Sequence, residues 1–107
     1  MPIFDIYIAF VSWGSGGKSR PVLILEESID SVTAFSITTQ YDSKSKAIRV
    51  KYFTISDWQQ AGLNDQSYVD TNNTITLPHT AIDSNHPIGK LSAADELRLI
   101  EFINQQQ

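Results

Sequence analysis

The chain has 107 residues, 41% of them hydrophobic, no cysteine and a formal net charge of −4. That length and apolar content suit one compact core over residues 1–107 and are too small for two independent domains. Lack of cysteine excludes disulfides, thiolate catalysis and cysteine-ligated zinc, and the net acidity argues against a broadly basic nucleic-acid binder.

The opening stretch MPIFDIYIAF has no basic leader and carries Asp5, so it does not read as a signal peptide. No apolar run approaches the roughly 20 residues that span a bilayer, so the expected compartment is the cytoplasm, without a membrane partner. Asp5 to Ser12 is rich in Ile, Tyr, Phe and Val and predicts a strand. Trp13 to Arg20 (WGSGGKSR) follows, and its three glycines and two serines predict a loop. Pro21 to Leu25 and Val32 to Thr38 predict two further strands, joined by a polar return over Glu27 to Ser31.

Ile48, Val50 and Tyr52 alternate with Arg49, Lys51 and Phe53, the pattern of a fourth strand with a basic edge. SDWQQAG then predicts a short mid-chain helix, with Ser56 and Gln59 as a capping box and Gly62 as its exit. Gln66 to Asp70 and Thr74 to Leu77 predict short strands around Asn72-Asn73, and Pro78 and Pro87 bracket an irregular stretch. A C-terminal helix begins at Ser92, with Leu97, Ile100 and Ile103 as its expected apolar face. Gln105 to Gln107 reads as a disordered tail. The expected class is mainly β (α+β): a small barrel with a short mid-chain helix and a C-terminal helix.

Three clusters can carry chemistry. Gly14 to Arg20 offers backbone N–H groups, Lys18 and Arg20 to an anion, but no Lys-Ser/Thr pair opens a helix as in a P-loop. Arg20 precedes Pro21, which restricts its backbone to extended conformations and defines its side-chain direction. SITTQY, Ser36 to Tyr41, gathers hydroxyl and amide donors at a strand end, although threonine is also an ordinary strand former. QSYVDT, Gln66 to Thr71, carries Tyr68, a half-buried strand tyrosine or a stacking platform, and Asp70, a general base or a turn residue. Trp13 can stack on a base or pack in a core or dimer. The lone loop histidines His79 and His86 lack the spacing of a metal cage. Six of the eight lysines and arginines fall between Lys18 and Lys51, so an acidic chain can still present cations on one face.

Gly17-Lys18-Ser19-Arg20-Pro21-Val22-Leu23-Ile24-Leu25, Ile37-Thr38-Thr39-Gln40 and Ile88-Gly89-Lys90-Leu91-Ser92 occur in this order, and together they resemble the PemK/MazF family. That family comprises toxins of type II toxin–antitoxin modules, and the resemblance spans Tyr7 to Ile103. It implies a PemK-like β-barrel that forms a homodimer, cleaves single-stranded mRNA without a metal or other cofactor, and is neutralised by a cognate antitoxin. It places the catalytic arginine at Arg20 and the catalytic threonine at Thr38. Gly17, Lys18, Ser19, Thr39, Gln40 and Ser67 fall among the expected substrate-binding residues. In such cleavage the ribose 2′-hydroxyl attacks the adjacent phosphorus, and a guanidinium clamps the developing phosphorane. Neither Arg20 nor Thr38 is a base at neutral pH, which leaves Asp42, Asp70 and His79 as candidates. The competing readings are a non-catalytic PemK-like module that binds RNA or protein, and a purely structural barrel.

Overall fold

The computed structural model describes residues 1–83 and 86–106. Seven strands and two helices follow in chain order: β1 (Asp5–Trp13), β2 (Gly16–Glu27), β3 (Ser31–Thr38), α1 (Lys46–Arg49), β4 (Tyr52–Thr54), β5 (Tyr68–Asp70), β6 (Ile75–Pro78), β7 (Gly89–Lys90) and α2 (Ala93–Asn104). The sheet is antiparallel in the order β4-β5-β3-β2-β1-β7, with β6 also on β3, and it curls into a half-barrel. A short 3-10 turn over His79–Ala81 and a bridge from Ile82 to Ala9 link β6 back to β1. No helix among the described residues is long and apolar enough to cross a membrane.

The unbroken apolar run after Pro21 follows from burial on both sides. Val22, Leu23 and Ile24 are all fully buried. Leu23 packs with Ile6, Phe35 and Leu99 on one face, while Val22 and Ile24 pack with Ala9, Ala34 and Leu77 on the other. A strand covered on both faces loses the alternation that a half-exposed strand shows. A register shift between Ile24 and Glu26 bends β2 against β3, as a bulge does.

Four sequence expectations are corrected. The loop at Trp13 to Arg20 shrinks to Gly14 and Ser15, with Gly14 at φ +35°, the glycine-first pattern of a two-residue hairpin. Gly16 and Gly17 instead pair with Trp13 and Ser12 inside the ladder. A Cβ on Gly17 would lie 2.7 Å from the Phe10 ring, so this glycine serves close approach, not looseness. The fourth strand starts only at Tyr52, because Ser45 caps Lys46–Arg49 as α1, its side chain accepting from the Ile48 N–H.

Residues 56–62 form turns, and α1 is the mid-chain helix. Ser56 and Gln59 make no capping box; the Ser56 and Asp57 N–H groups donate to Asp95 of α2. Finally, α2 turns a different face inward. Leu97 and Ile100 are 64% and 44% exposed, whereas Asp95 and Leu99 are fully buried and Phe102 and Ile103 pack on the core. Ser92 does cap this helix, accepting from the Asp95 N–H at 3.1 Å. Gln105 and Gln106 continue its closing turn, and Gln107 lies outside the described residues.

Gly62 and Gly89 pin the 56–63 turns to β7. Gly62 sits at φ +88°, and a Cβ there would meet the Ile88 carbonyl oxygen at 2.2 Å. Gly62→Ala is therefore expected to destabilise the fold by about 2–4 kcal/mol, combining a left-handed backbone penalty with a backbone clash. Urea unfolding that matches the parent would refute this tight approach.

Candidate active site

The β2–β3 ladder ends at Val22↔Ser36. Pro21 comes next and has no N–H with which to extend it. Past that point β3 keeps no partner in β2, while on its opposite edge Ile37 and Thr38 pair with Val69 and Tyr68 of β5. A groove of about 410 Å³ opens there, lined by Lys18, Ser19, Arg20 and Pro21 from β2 and Ser36 to Gln40 from β3 and its exit. Lys44, Tyr52, Ser67 and Asp70 complete it.

The structure thus brings Lys18, Ser19, Arg20, Thr38, Thr39, Gln40 and Ser67 to one groove. Gly17 stays outside it, in the hairpin opposite Ser12. Arg20 stands two residues before Val22 and Thr38 two residues after Ser36, so each lines the opening from its own strand. Arg20 is half-buried, and its Nε is buried without a hydrogen-bond partner among the described residues. Its guanidinium carbon lies 5.8 Å from the centre of the half-exposed Trp13 ring, within cation–π range. A buried, unpaired guanidinium N–H is costly unless something anionic completes it.

Thr38 holds a defined hydroxyl. Its Oγ1 accepts from the Gln40 N–H at 3.0 Å, which leaves its own O–H free to donate. Gln40 Oε1 accepts from Ser43, freeing the amide N–H groups. Ser67 is buried and donates to the Asp65 carbonyl at 2.9 Å, so its hydroxyl proton is already committed.

Of the candidate bases, Asp70 lines the groove, where its Oδ1 accepts from the Asn72 N–H at 2.9 Å. Asp42 is exposed and does not line it. His79 is engaged with the Ser28 carbonyl and Glu27. Ser36 of the SITTQY run also lines the groove, and one lining residue, Tyr52, escaped the sequence reading. Ser36 shares a strand face with Thr38, two residues away, so period-2 alternation alone points to it. Tyr52 faces Asp70 across β4 and β5, a pairing that no local pattern announces. Burial raises the Tyr52 phenol above its ordinary value and the Asp70 charge adds to this, with Arg20 opposing both. The Tyr52 phenol thus keeps its proton at neutral pH and can donate a hydrogen bond.

Three cations, one carboxylate and a row of hydroxyls line this groove, side chains with the chemistry to meet an anion. The chain is similar, at 30% identity and a TM-score of 0.71, to the Mycobacterium tuberculosis toxin MazF-mt6, over 94% of this chain and 93% of that one. A second toxin structure from the same organism aligns at 29% identity and a TM-score of 0.65, over 94% and 97%. No protein-family model and no curated protein matches the chain. The chain belongs to the MazF family of toxins.

Proposed function

We propose that the chain is an endoribonuclease toxin that cleaves single-stranded mRNA through attack by the 2′-hydroxyl. The observation that carries this is one groove holding the Arg20 guanidinium, whose Nε has no hydrogen-bond partner among the described residues, and the Thr38 hydroxyl. The scissile phosphate lies between them. Arg20 clamps two of its oxygens, and Thr38 donates to one as negative charge builds on the phosphorane. Asp70 takes the proton of the 2′-hydroxyl, whose oxygen forms the new bond to phosphorus. The P–O5′ bond breaks, leaving a 2′,3′-cyclic phosphate on one product and a 5′-hydroxyl on the other. Tyr52, kept protonated, supplies a proton on the leaving-group side.

Lys18, Ser19, Thr39 and Gln40 hold the flanking backbone and base edges along the same groove. Ser67 contributes by shaping it through its bond to Asp65, whereas Gly17, outside the groove, lets the Phe10 ring pack on the β1–β2 ladder. The toxin works in the cytoplasm as a homodimer, neutralised by a cognate antitoxin. Light scattering tests the dimer, and co-purification from a joint expression tests the antitoxin.

The deciding experiment incubates the protein with long single-stranded RNA in a chelator and maps the product ends. Cyclic-phosphate and 5′-hydroxyl ends are expected. Binding without cleavage would leave only a PemK-like binding module, and 5′-phosphate ends would overturn the mechanism. Thr38→Val keeps shape and strand propensity while deleting the free donor. It is expected to slow single-turnover cleavage by about 10²–10³-fold with an unchanged circular dichroism spectrum.

A further inference from the structure

Apart from Lys44, the segment between Gln40 and Lys51 takes no part in the chemistry above. It lines a second cleft of about 460 Å³ with Tyr41, Lys46, Arg49 and Val50. The two clefts are neighbours. Gln40 lines the groove and the next residue, Tyr41, lines the cleft. Tyr52 of the groove wall also meets the Tyr41 ring edge-on, with centroids 6.3 Å apart at 87°. Tyr68 holds the same ring at 4.4 Å and 64°. Tyr41 is thus a half-buried ring braced by two others, with little freedom left to lose on binding.

Cations surround it. The Arg49 guanidinium lies over the Tyr41 ring, 5.6 Å from its centre, so any base that stacks there takes the other face or displaces it. The Ser45 cap fixes the turn that carries Lys46 and Arg49. Lys18, Arg20, Lys44, Lys46 and Arg49 all line the two clefts, in a chain with eight lysines and arginines and a net charge of −4. Asp70 is the single carboxylate among the lining residues of both. A continuous cationic track with a fixed aromatic face is what a single-stranded nucleic acid requires of a protein surface.

We propose that this cleft is a second nucleotide subsite, where a base of the strand stacks on Tyr41 and an adjoining phosphate meets Lys46 and Arg49. The inference rests on the endoribonuclease reading of the neighbouring groove and says where the strand runs beyond the scissile phosphate. Every base has a π-face, so this subsite tolerates any sequence. It sets the position of the strand, and base edges are read elsewhere.

The test uses 2′-O-methyl RNA oligonucleotides, which lack the attacking hydroxyl, with binding followed by fluorescence anisotropy. A single abasic position is walked along the strand. In the parent protein one position is expected to cost about five- to a hundredfold in affinity, the usual effect of losing one stacked base. Tyr41→Leu should cost a similar factor and abolish the abasic penalty at that position, while Tyr41→Phe keeps both. Lys46→Gln, at an exposed site, should flatten the log–log salt slope by about 0.7.

A parent that binds and cleaves, beside a Tyr41→Leu protein of equal affinity or unchanged abasic penalty, would overturn the subsite alone. A parent that binds no oligonucleotide and cleaves no RNA would overturn the endoribonuclease reading itself. Should Tyr41→Leu fail to fold, Arg49→Gln and Lys46→Gln decide: parental salt slopes in both refute the subsite.

Discussion

Arg20→Lys is expected to lose almost as much RNA cleavage as Arg20→Ala, with both falling by about 10³-fold or more, the scale on which phosphate-clamping arginines act. Charge alone does not meet the need. The guanidinium presents two parallel N–H donors to two phosphoryl oxygens, whereas an ammonium is a point charge that reproduces neither the fork nor the stacking. Here the fork is held from behind. The Trp13 ring sits 5.8 Å from the guanidinium carbon, and Pro21 limits the backbone of Arg20. The fold should survive both substitutions, because the apolar residues that anchor β2 begin at Val22. Single-turnover cleavage by the purified variants, checked by circular dichroism, reads the effect. Parental rates from Arg20→Ala would remove the phosphate clamp and the enzyme reading with it.

Much of this groove was legible before any coordinates, because its residues lie in two short runs. Lys18 to Pro21 and Ile37 to Gln40 carry charge, hydroxyls and a proline without an N–H in plain sequence. The groove wall from β4 and β5 was harder to foresee, since Tyr52 and Asp70 meet only through a long-range pairing. The glycines misled for a physical reason. Gly16 and Gly17 have the composition of a loop, yet Gly17 is small so that the Phe10 ring can lie over the ladder. Residues 46–53 misled through competition, as alternating Ile48, Val50 and Tyr52 suggest a strand that the Ser45 cap converts into a helical turn. In α2, counting apolar residues selects Leu97, Ile100 and Ile103, of which Ile103 alone packs on the core. The buried face is organised around Leu99 and a carboxylate, which no hydrophobic count can select.

That carboxylate supplies the second large effect, this one on stability. Asp95→Ala is expected to destabilise the protein by about 3–5 kcal/mol, the usual consequence of breaking a buried charged network from one side. Asp95 is fully buried, and its two oxygens accept from the backbone N–H groups of Ser56 at 3.3 Å and Asp57 at 2.9 Å. Arg98, one turn along α2, pairs with the same side chain. Truncation would strand two backbone donors as well as the guanidinium, and an unsatisfied buried donor costs about 1–3 kcal/mol. Asp95→Asn keeps an acceptor of the same size and should cost less. Arg98→Ala should cost less, about 1–3 kcal/mol, because the buried carboxylate loses its cation but keeps both backbone donors. This ordering distinguishes the two roles of the network. The carboxylate serves chiefly as a cap for the 56–63 turns, and the ion pair is secondary. Ile55, beside those turns, donates its N–H to the Ser67 carbonyl at 3.1 Å, which ties the same segment to the wall of the groove. Urea unfolding at constant m value measures each variant. An Asp95→Ala loss no larger than that of Arg98→Ala would mean that water caps these turns as well as the carboxylate does.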